Sequence, residues 1–383
     1  MFKMAPALVG LGSLSIYILA CTSFSPDDSK VLFDTVDGKT GMTAVAVYDR
    51  KTAKTELLFK PFLRSAQTLE TSAAILRPQW LDNGHSFLTS WRAGDNTNLN
   101  LAILPFDRRG PARFFQIADL TEDEANNFYC CPLPVVGNYL FLAGPTNTNS
   151  IIRLDLVTGE VRCQTNQQKM FLFPSPANDR VYCLTIPPSN APSEMGLLDP
   201  LTMTPSPRFH IEKGEVSPWS LALSRDARIL AYQLKDEDPP LVHLLEAGKP
   251  EKTLSLASLG KDAEVMVRHF SLQGDLLYAS IKTKAESDAG VDYGFAEIPL
   301  NGSLIRKIIL ISNAPKPKRE NNVFNSFQID LSHDGKTLAV ESLWLASIEP
   351  QIPAKDCALF LVDLSKPARK ITKIPIPLPP LSK

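Results

Sequence analysis

The chain has 383 residues, 44% of them hydrophobic and 21% charged, the proportions of a folded globular protein rather than a disordered one. Its formal net charge is -1, and no strongly basic block occurs, so the electrostatic footprint of a nucleic-acid binder is missing. Length alone allows one large all-β domain or two or three ordinary ones.

The first element is a leader. Lys3 gives a positive start, residues 5–20 form an uncharged apolar run, and Ile18-Leu19-Ala20-Cys21 closes it. A short apolar core with small residues before a cut argues for export rather than for a spanning helix. The closing tetrapeptide resembles the lipobox of bacterial lipoproteins. That resemblance implies cleavage before Cys21, a lipid on Cys21 and attachment to a membrane. Thr22 in place of Asp after the cysteine implies sorting to the outer membrane. An ordinary signal peptide with an incidental cysteine and an uncleaved anchor are the alternatives. The expected layout is a signal peptide over 1–20 and a folded region over 21–383.

From Thr22 onward one phrase recurs: an apolar run, a polar turn, a second apolar run. In chain order the units lie at 22–33 (turning at Asp27-Asp28), 78–88 (Asp82-Asn83-Gly84), 130–142 (Gly137-Asn138) and 171–184 (Asn178-Asp179). Three more follow at 221–232 (Arg225-Asp226), 269–280 (Gln273-Gly274-Asp275) and 328–340 (Asp334-Gly335). Asp-Gly, Asn-Gly and Gly-Asn between alternating apolar runs are strong hairpin signals. A second hairpin follows within the unit, turning at Thr158-Gly159, Asn301-Gly302 and Ser365-Lys366. Four strands at a period of about 50 residues are the signature of propeller blades, which must stack because no blade can bury its own faces. The predicted fold is an all-β, seven-bladed β-propeller of four-stranded antiparallel blades. The first unit supplies its own innermost strand and the last its own outermost one. Closure is therefore expected from side-chain packing between blades 1 and 7.

Ser25-Pro26-Asp27, Asp155-Leu156-Val157-Thr158-Gly159-Glu160 and Ser332-His333-Asp334-Gly335-Lys336 resemble the WD40-like (PD40) repeat of TolB-type propellers. The resemblance covers nearly the whole chain after the leader. It implies a fold and carries no activity.

No Gly-x-Ser-x-Gly elbow, Walker motif, His-Glu-x-x-His or dinucleotide fingerprint occurs, so the sequence gives no catalytic signature, cofactor or metal site. Of five histidines, His85 and His333 fall in first turns, His210 and His243 in outer strands, and His269 in an innermost strand. Gln79, His269 and Asp330 occupy similar places on innermost strands and are the candidate channel lining. They either hold a cation or a water chain, or simply line a wet channel. The candidate binding face is built by the loops after second and fourth strands. It carries Trp91, Arg92 and Asp95 in one loop, Trp344 at the start of the blade 7 insertion, and acidic runs at 122–124 and 236–238. Tryptophan and arginine on supported loops are typical anchors; packing between blades is the other use for each tryptophan, and plain solvation for the acidic runs. Beyond Cys21 stand Cys130, Cys131, Cys163, Cys183 and Cys357, an odd number without zinc spacing. They read either as a disulfide of Cys130 or Cys131 with Cys183, or as buried small hydrophobes.

Together these features point to an exported, lipid-anchored, non-catalytic scaffold that binds a protein or a polysaccharide in the cell envelope. The alternative is a propeller enzyme of lactonase, lyase or glycosidase type, with Asp330 and His269 at a channel-mouth site.

Overall fold

The computed structural model describes residues 22–36, 43–59, 78–91, 99–107, 110–117, 133–144, 150–166, 168–176, 179–187, 192–212, 214–235, 237–285, 290–315, 328–342 and 357–376. Seven four-stranded antiparallel sheets are built from strands taken in chain order. The first strand of each sheet is the innermost. In blades 1 to 7 these are Thr22–Phe24, Gln79–Trp80, Val135–Val136, Lys169–Pro174, Val216–Leu223, Glu264–Phe270 and Gln328–Leu331. The protein is a seven-bladed β-propeller, as its repeats predict.

The recurring phrase is a hydrogen-bonded latch. In blade 1 the Ser25 hydroxyl donates to Asp27 at 2.7 Å and accepts the Lys30 N–H at 3.0 Å. Ser224 with Asp226 in blade 5 and Ser332 with Asp334 in blade 7 repeat this pair. In blades 4 and 6 the aspartate moves two places on, to Asp179 and Asp275. All five serines are buried. A buried hydroxyl that both donates and accepts removes two polar costs at once. In blades 1, 5, 6 and 7 the third residue after the serine lies in the left-handed region, which favours glycine. Gly274 and Gly335 fill it in blades 6 and 7, whereas Asp28 (φ 55°) and Ala227 (φ 54°) fill it in blades 1 and 5.

Each interface between neighbouring blades holds one apolar cluster, and there are seven interfaces and seven clusters. The ring is closed by the cluster between blades 1 and 7, where Phe24, Val31, Phe33 and Tyr48 meet Ala339, Cys357, Leu359 and Ile374. Among the described residues no strand is exchanged between these two blades, and side-chain packing closes the ring together with side-chain bonds to the backbone. Arg50 adds a polar tie, donating to the Asp28 carbonyl at 2.6 Å within blade 1 and to Thr337 Oγ1 of blade 7 at 2.7 Å.

Candidate functional site

The innermost strands place Ser23, Gln79, His269 and Asp330 at one register, two residues before the turn. Three of the four reach across to the next blade or receive a bond from it. Ser23 Oγ accepts the Trp80 N–H at 3.1 Å, from blade 1 to blade 2. His269 Nε2 lies 2.8 Å from the Ile329 carbonyl oxygen, from blade 6 to blade 7. Asp330 Oδ2 accepts the Phe24 N–H at 3.3 Å, from blade 7 to blade 1. Ser220, lower on blade 5, accepts the Val267 N–H of blade 6 at 2.7 Å. These polar side chains staple neighbouring innermost strands through backbone groups. Gln79 shares the register, and its Oε1 is shut off from solvent without a hydrogen-bond partner.

Burial tunes two of these groups in opposite directions. It pushes the His269 imidazole down to about 4, against the pull of the Ile329 carbonyl. The ring is therefore neutral at pH 7 and carries its proton on Nε2 to donate to that carbonyl. Burial pushes the Asp330 carboxyl up to about 7, against the Phe24 N–H. Glu341, at the end of the second strand of blade 7 (Thr337–Glu341), is fully buried and is driven well above the usual carboxylate range by the same cause.

Of the predicted binding face, Trp91 closes the second strand of blade 2, Ser86–Trp91, at the rim from which its loop departs. Cys21, Arg92, Asp95, Trp344, the leader over 1–20, residues 122–124, Asp236, Cys130 and Cys131 lie outside the described residues. Cys183 is a buried thiol that points at the Gly196 carbonyl, 3.7 Å away, and burial raises it to about 12. It is not bridged to Cys130 or Cys131, so the buried-hydrophobe reading is the one the structure adopts for it.

Two further groupings emerge only in the folded chain. His243 stands in the third strand of blade 5, Leu241–Glu246, one of its two outer strands. Its Nε2 is 2.9 Å from Glu237 Oε2, its Nδ1 faces Glu251 Oε1, and its ring stacks on Tyr232 with centroids 5.0 Å apart. The Tyr232 hydroxyl donates to Glu251 at 3.2 Å. An imidazole held between two carboxylates ties the loop after the second strand to the turn before the fourth. Glutamates six before and eight after a histidine form no recognisable motif, so only the fold reveals the cluster. The second feature is a cavity of about 230 Å³ on one face of blade 4, lined by Met170, Cys183, Thr185, Glu194 and Gly196 among others.

A scan against protein-family models and a search of curated proteins both return no match. Solved structures do match. The β-propeller domain of the Trilobed protease from Pyrococcus furiosus aligns at a TM-score of 0.54 and 9% identity, over 92% of this chain and 97% of that one. Its description gives that domain an open velcro topology. Kuenenia stuttgartiensis hydrazine synthase aligns at 0.52 and 12%, over 97% and 100%. TolB from Acinetobacter baumannii aligns at 0.38 and 15% over 59% of this chain, which spans about half, 51%, of that TolB chain. At these identities the first two likenesses establish a shared fold and nothing of activity.

Proposed function

We propose that the protein is an exported, non-catalytic propeller, anchored in the cell envelope by a lipid on Cys21, that holds a protein or glycan partner on the rim built by the loops after second and fourth strands. The observation that carries this reading is the use made of the channel polar groups. His269, Asp330, Ser23 and Ser220 are engaged in holding neighbouring blades together. A ring stapled in this way is a rigid support for loops, and loops on rigid supports are where binding residues concentrate. Trp91, Arg92, Asp95 and Trp344 are the anchors assigned to that rim.

Affinity capture from envelope extracts tests this directly. The wild-type chain is expected to retain one specific partner that the Trp91→Ala, Arg92→Ala double variant loses. The Cys21→Ser variant is expected to leave the membrane fraction. Equal recovery by both baits, or an unchanged membrane fraction for Cys21→Ser, would count against the reading. One observation favours the enzyme alternative: Asp330, at about 7, sits where a general acid or base operates best. Turnover of a lactone or glycoside that disappears in Asp330→Asn would establish that alternative instead.

A further inference from the structure

We propose that the cavity on blade 4 is a binding site for a single neutral sugar ring, a proposal that rests on the glycan arm of the function above. The cavity occupies one face of a single sheet. Cross-strand pairing puts Met170 beside Thr185, Thr185 beside Glu194, Cys183 beside Gly196, and Gly196 beside Pro207. Side chains at directly paired positions share a face, so the lining follows from register alone. That face is turned toward blade 3, whose Phe141 and Ile151 pack against Met170, Leu172 and Cys183 deeper in the interface. Asn166 and Gln168 lie in the connection that leaves the outermost strand of blade 3 and enters the innermost strand of blade 4. The cavity therefore opens on the same rim as the Trp91 loop.

One residue of the lining has no side chain at all. Gly196 lies three places before Asp199, whose carboxylate opens the turn to the outermost strand by accepting the Leu201 and Thr202 N–H groups. At the matching place blade 3 carries Ile152, blade 5 His243 and blade 7 Phe360, and blades 1, 2 and 6 carry Ala46, Ala102 and Ala296. Blade 4 has no side chain there. The third and fourth strands also shift register between Met195 and Gly196, which draws the Ser206 carbonyl under the glycine. A Cβ on Gly196 would lie 2.6 Å from that oxygen, so the floor stays bare.

The lining selects the ligand. The polar lining holds two carboxamides, Asn166 and Gln168, the carboxylate of Glu194, whose Oε1 lies 3.5 Å from His210 Nδ1, and the Thr185 hydroxyl, which donates to the Glu194 carbonyl at 3.0 Å and keeps its lone pairs as acceptors. The described lining holds no Lys or Arg, which disfavours an anion. The amides can donate to one hydroxyl and accept from the next, and the carboxylate accepts from either. The rest of the lining, Met170, Cys183, Gly196, Pro205 and Pro207, offers apolar surface suited to the C–H face of a ring. Fixed polar groups above an apolar base are the usual construction of a small-molecule site. The volume suits one ring, with the chain of a longer glycan leaving through the open mouth.

Saturation-transfer NMR and calorimetry on the full chain decide the matter. The probes are glucose, galactose, mannose and N-acetylglucosamine, with n-butylamine as a cationic competitor. At least one sugar is expected to receive saturation. Its affinity is expected to fall tenfold or more in Glu194→Ala and in Asn166→Ala, and to stay unchanged in Glu264→Ala on blade 6. Melting temperatures within a degree or two of wild type would show that neither pocket variant acts by unfolding. The proposal is overturned if no sugar receives saturation, if the pocket variants bind as wild type does, or if n-butylamine displaces every sugar. A protein blind to all four sugars that still captures an envelope polypeptide through Trp91 loses this site and keeps its scaffold role. Sugar binding lost in Glu194→Ala by a protein that retains no envelope partner leaves the site standing and removes that role.

Discussion

Asp28 of blade 1 accepts the backbone N–H of His333 in blade 7 at 2.9 Å, and the His333 ring through Nδ1 at the same distance. The second carboxylate oxygen accepts the Asp334 N–H, also at 2.9 Å. The first-turn phrase of the first blade thus grips the first-turn phrase of the last, at the one interface where the chain is not continuous. Asp28→Asn retains a residue tolerant of positive φ and removes the charge and one acceptor. Bonds of this kind contribute on the order of 1–3 kcal/mol when charge-assisted. A loss of about 1–2 kcal/mol is expected in urea unfolding, with blades 1 and 7 the first to gain hydrogen exchange.

The same left-handed position in blade 5 leads to the opposite expectation. Ala227 sits at φ 54° without any bond that requires a side chain there. A left-handed L-residue costs roughly 1–2 kcal/mol, against roughly 0.4–1 kcal/mol for the extra freedom of glycine in the unfolded chain. Ala227→Gly is expected to stabilise by about 0.5 kcal/mol, read as a rise in the denaturant midpoint at constant slope. A fall would mean that the methyl contact with the blade 4–5 cluster outweighs the strain.

His269 and Asp330 bias the pH dependence in opposite senses. The folded His269 ring titrates near 4, below its ordinary value of about 6.5. Between those values the unfolded chain binds the additional proton, so this residue adds stability as pH rises from 4 to 6.5. Asp330 titrates near 7 when folded, above its ordinary value of about 3.9. There the folded state holds the additional proton, so its contribution falls as pH rises toward 7. Over most of this window the two slopes cancel. His269→Gln, which keeps a donor for Ile329, is expected to make stability decline with pH between 4 and 6.5 relative to wild type. Asp330→Asn is expected to make it climb between 4 and 6.5. Parallel stability profiles for all three proteins would refute the assignment.

How much of this was written in the sequence depends on distance along the chain. The latch at Ser332 and Asp334 is local: two residues separate the partners and five separate the hydroxyl from the N–H it accepts. Five blades carry it. The apolar run, turn and apolar run recur seven times and so predict seven blades, and the shared place of Gln79, His269 and Asp330 could be read from their offset to the turn. The bond from Asp330 to Phe24 spans 306 residues, and no offset reports it. A polar residue facing a channel and one stapling two blades look alike until the next blade is in place. The blade 4 cavity was illegible for a related reason. It depends on a register shift beside Gly196, and pairing register is set by contacts that a single strand does not display.

Glu341 offers a test of a buried acid. Both of its carboxylate oxygens are inside the protein, and the residue is fully buried. Desolvation raises its titration well above the ordinary value, with the Asp34 N–H as the opposing influence. The folded state thus keeps a proton that the unfolded chain releases once pH exceeds about 4.3. Stability from this residue is present at low pH and is lost as pH rises from there toward the folded value. Glu341→Gln copies the shape of the protonated acid without its titration. The variant is expected to equal wild type near pH 4 and to exceed it increasingly toward pH 8. An advantage that does not grow with pH would show that Glu341 is charged in the folded protein.

Gly196 supplies the final expectation, because space and stability oppose each other there. A Cβ would meet the Ser206 carbonyl oxygen at 2.6 Å and its carbon at 2.9 Å. Both atoms are backbone, so relief requires the outermost strand of blade 4, Pro205–Ile211, to move away from the third. Pro205 and Pro207 already withhold two donors from that pairing, which leaves few bonds to resist the movement. Gly196→Ala is expected to cost about 1–3 kcal/mol, the usual range for overpacking a well-filled site. Exchange should rise at Phe209 and Ile211, and not in blades 1 and 7. A variant as stable as wild type, with blade 4 exchange unaltered, would mean that the third and fourth strands separate without cost, and the bare floor of the cavity would then need another explanation.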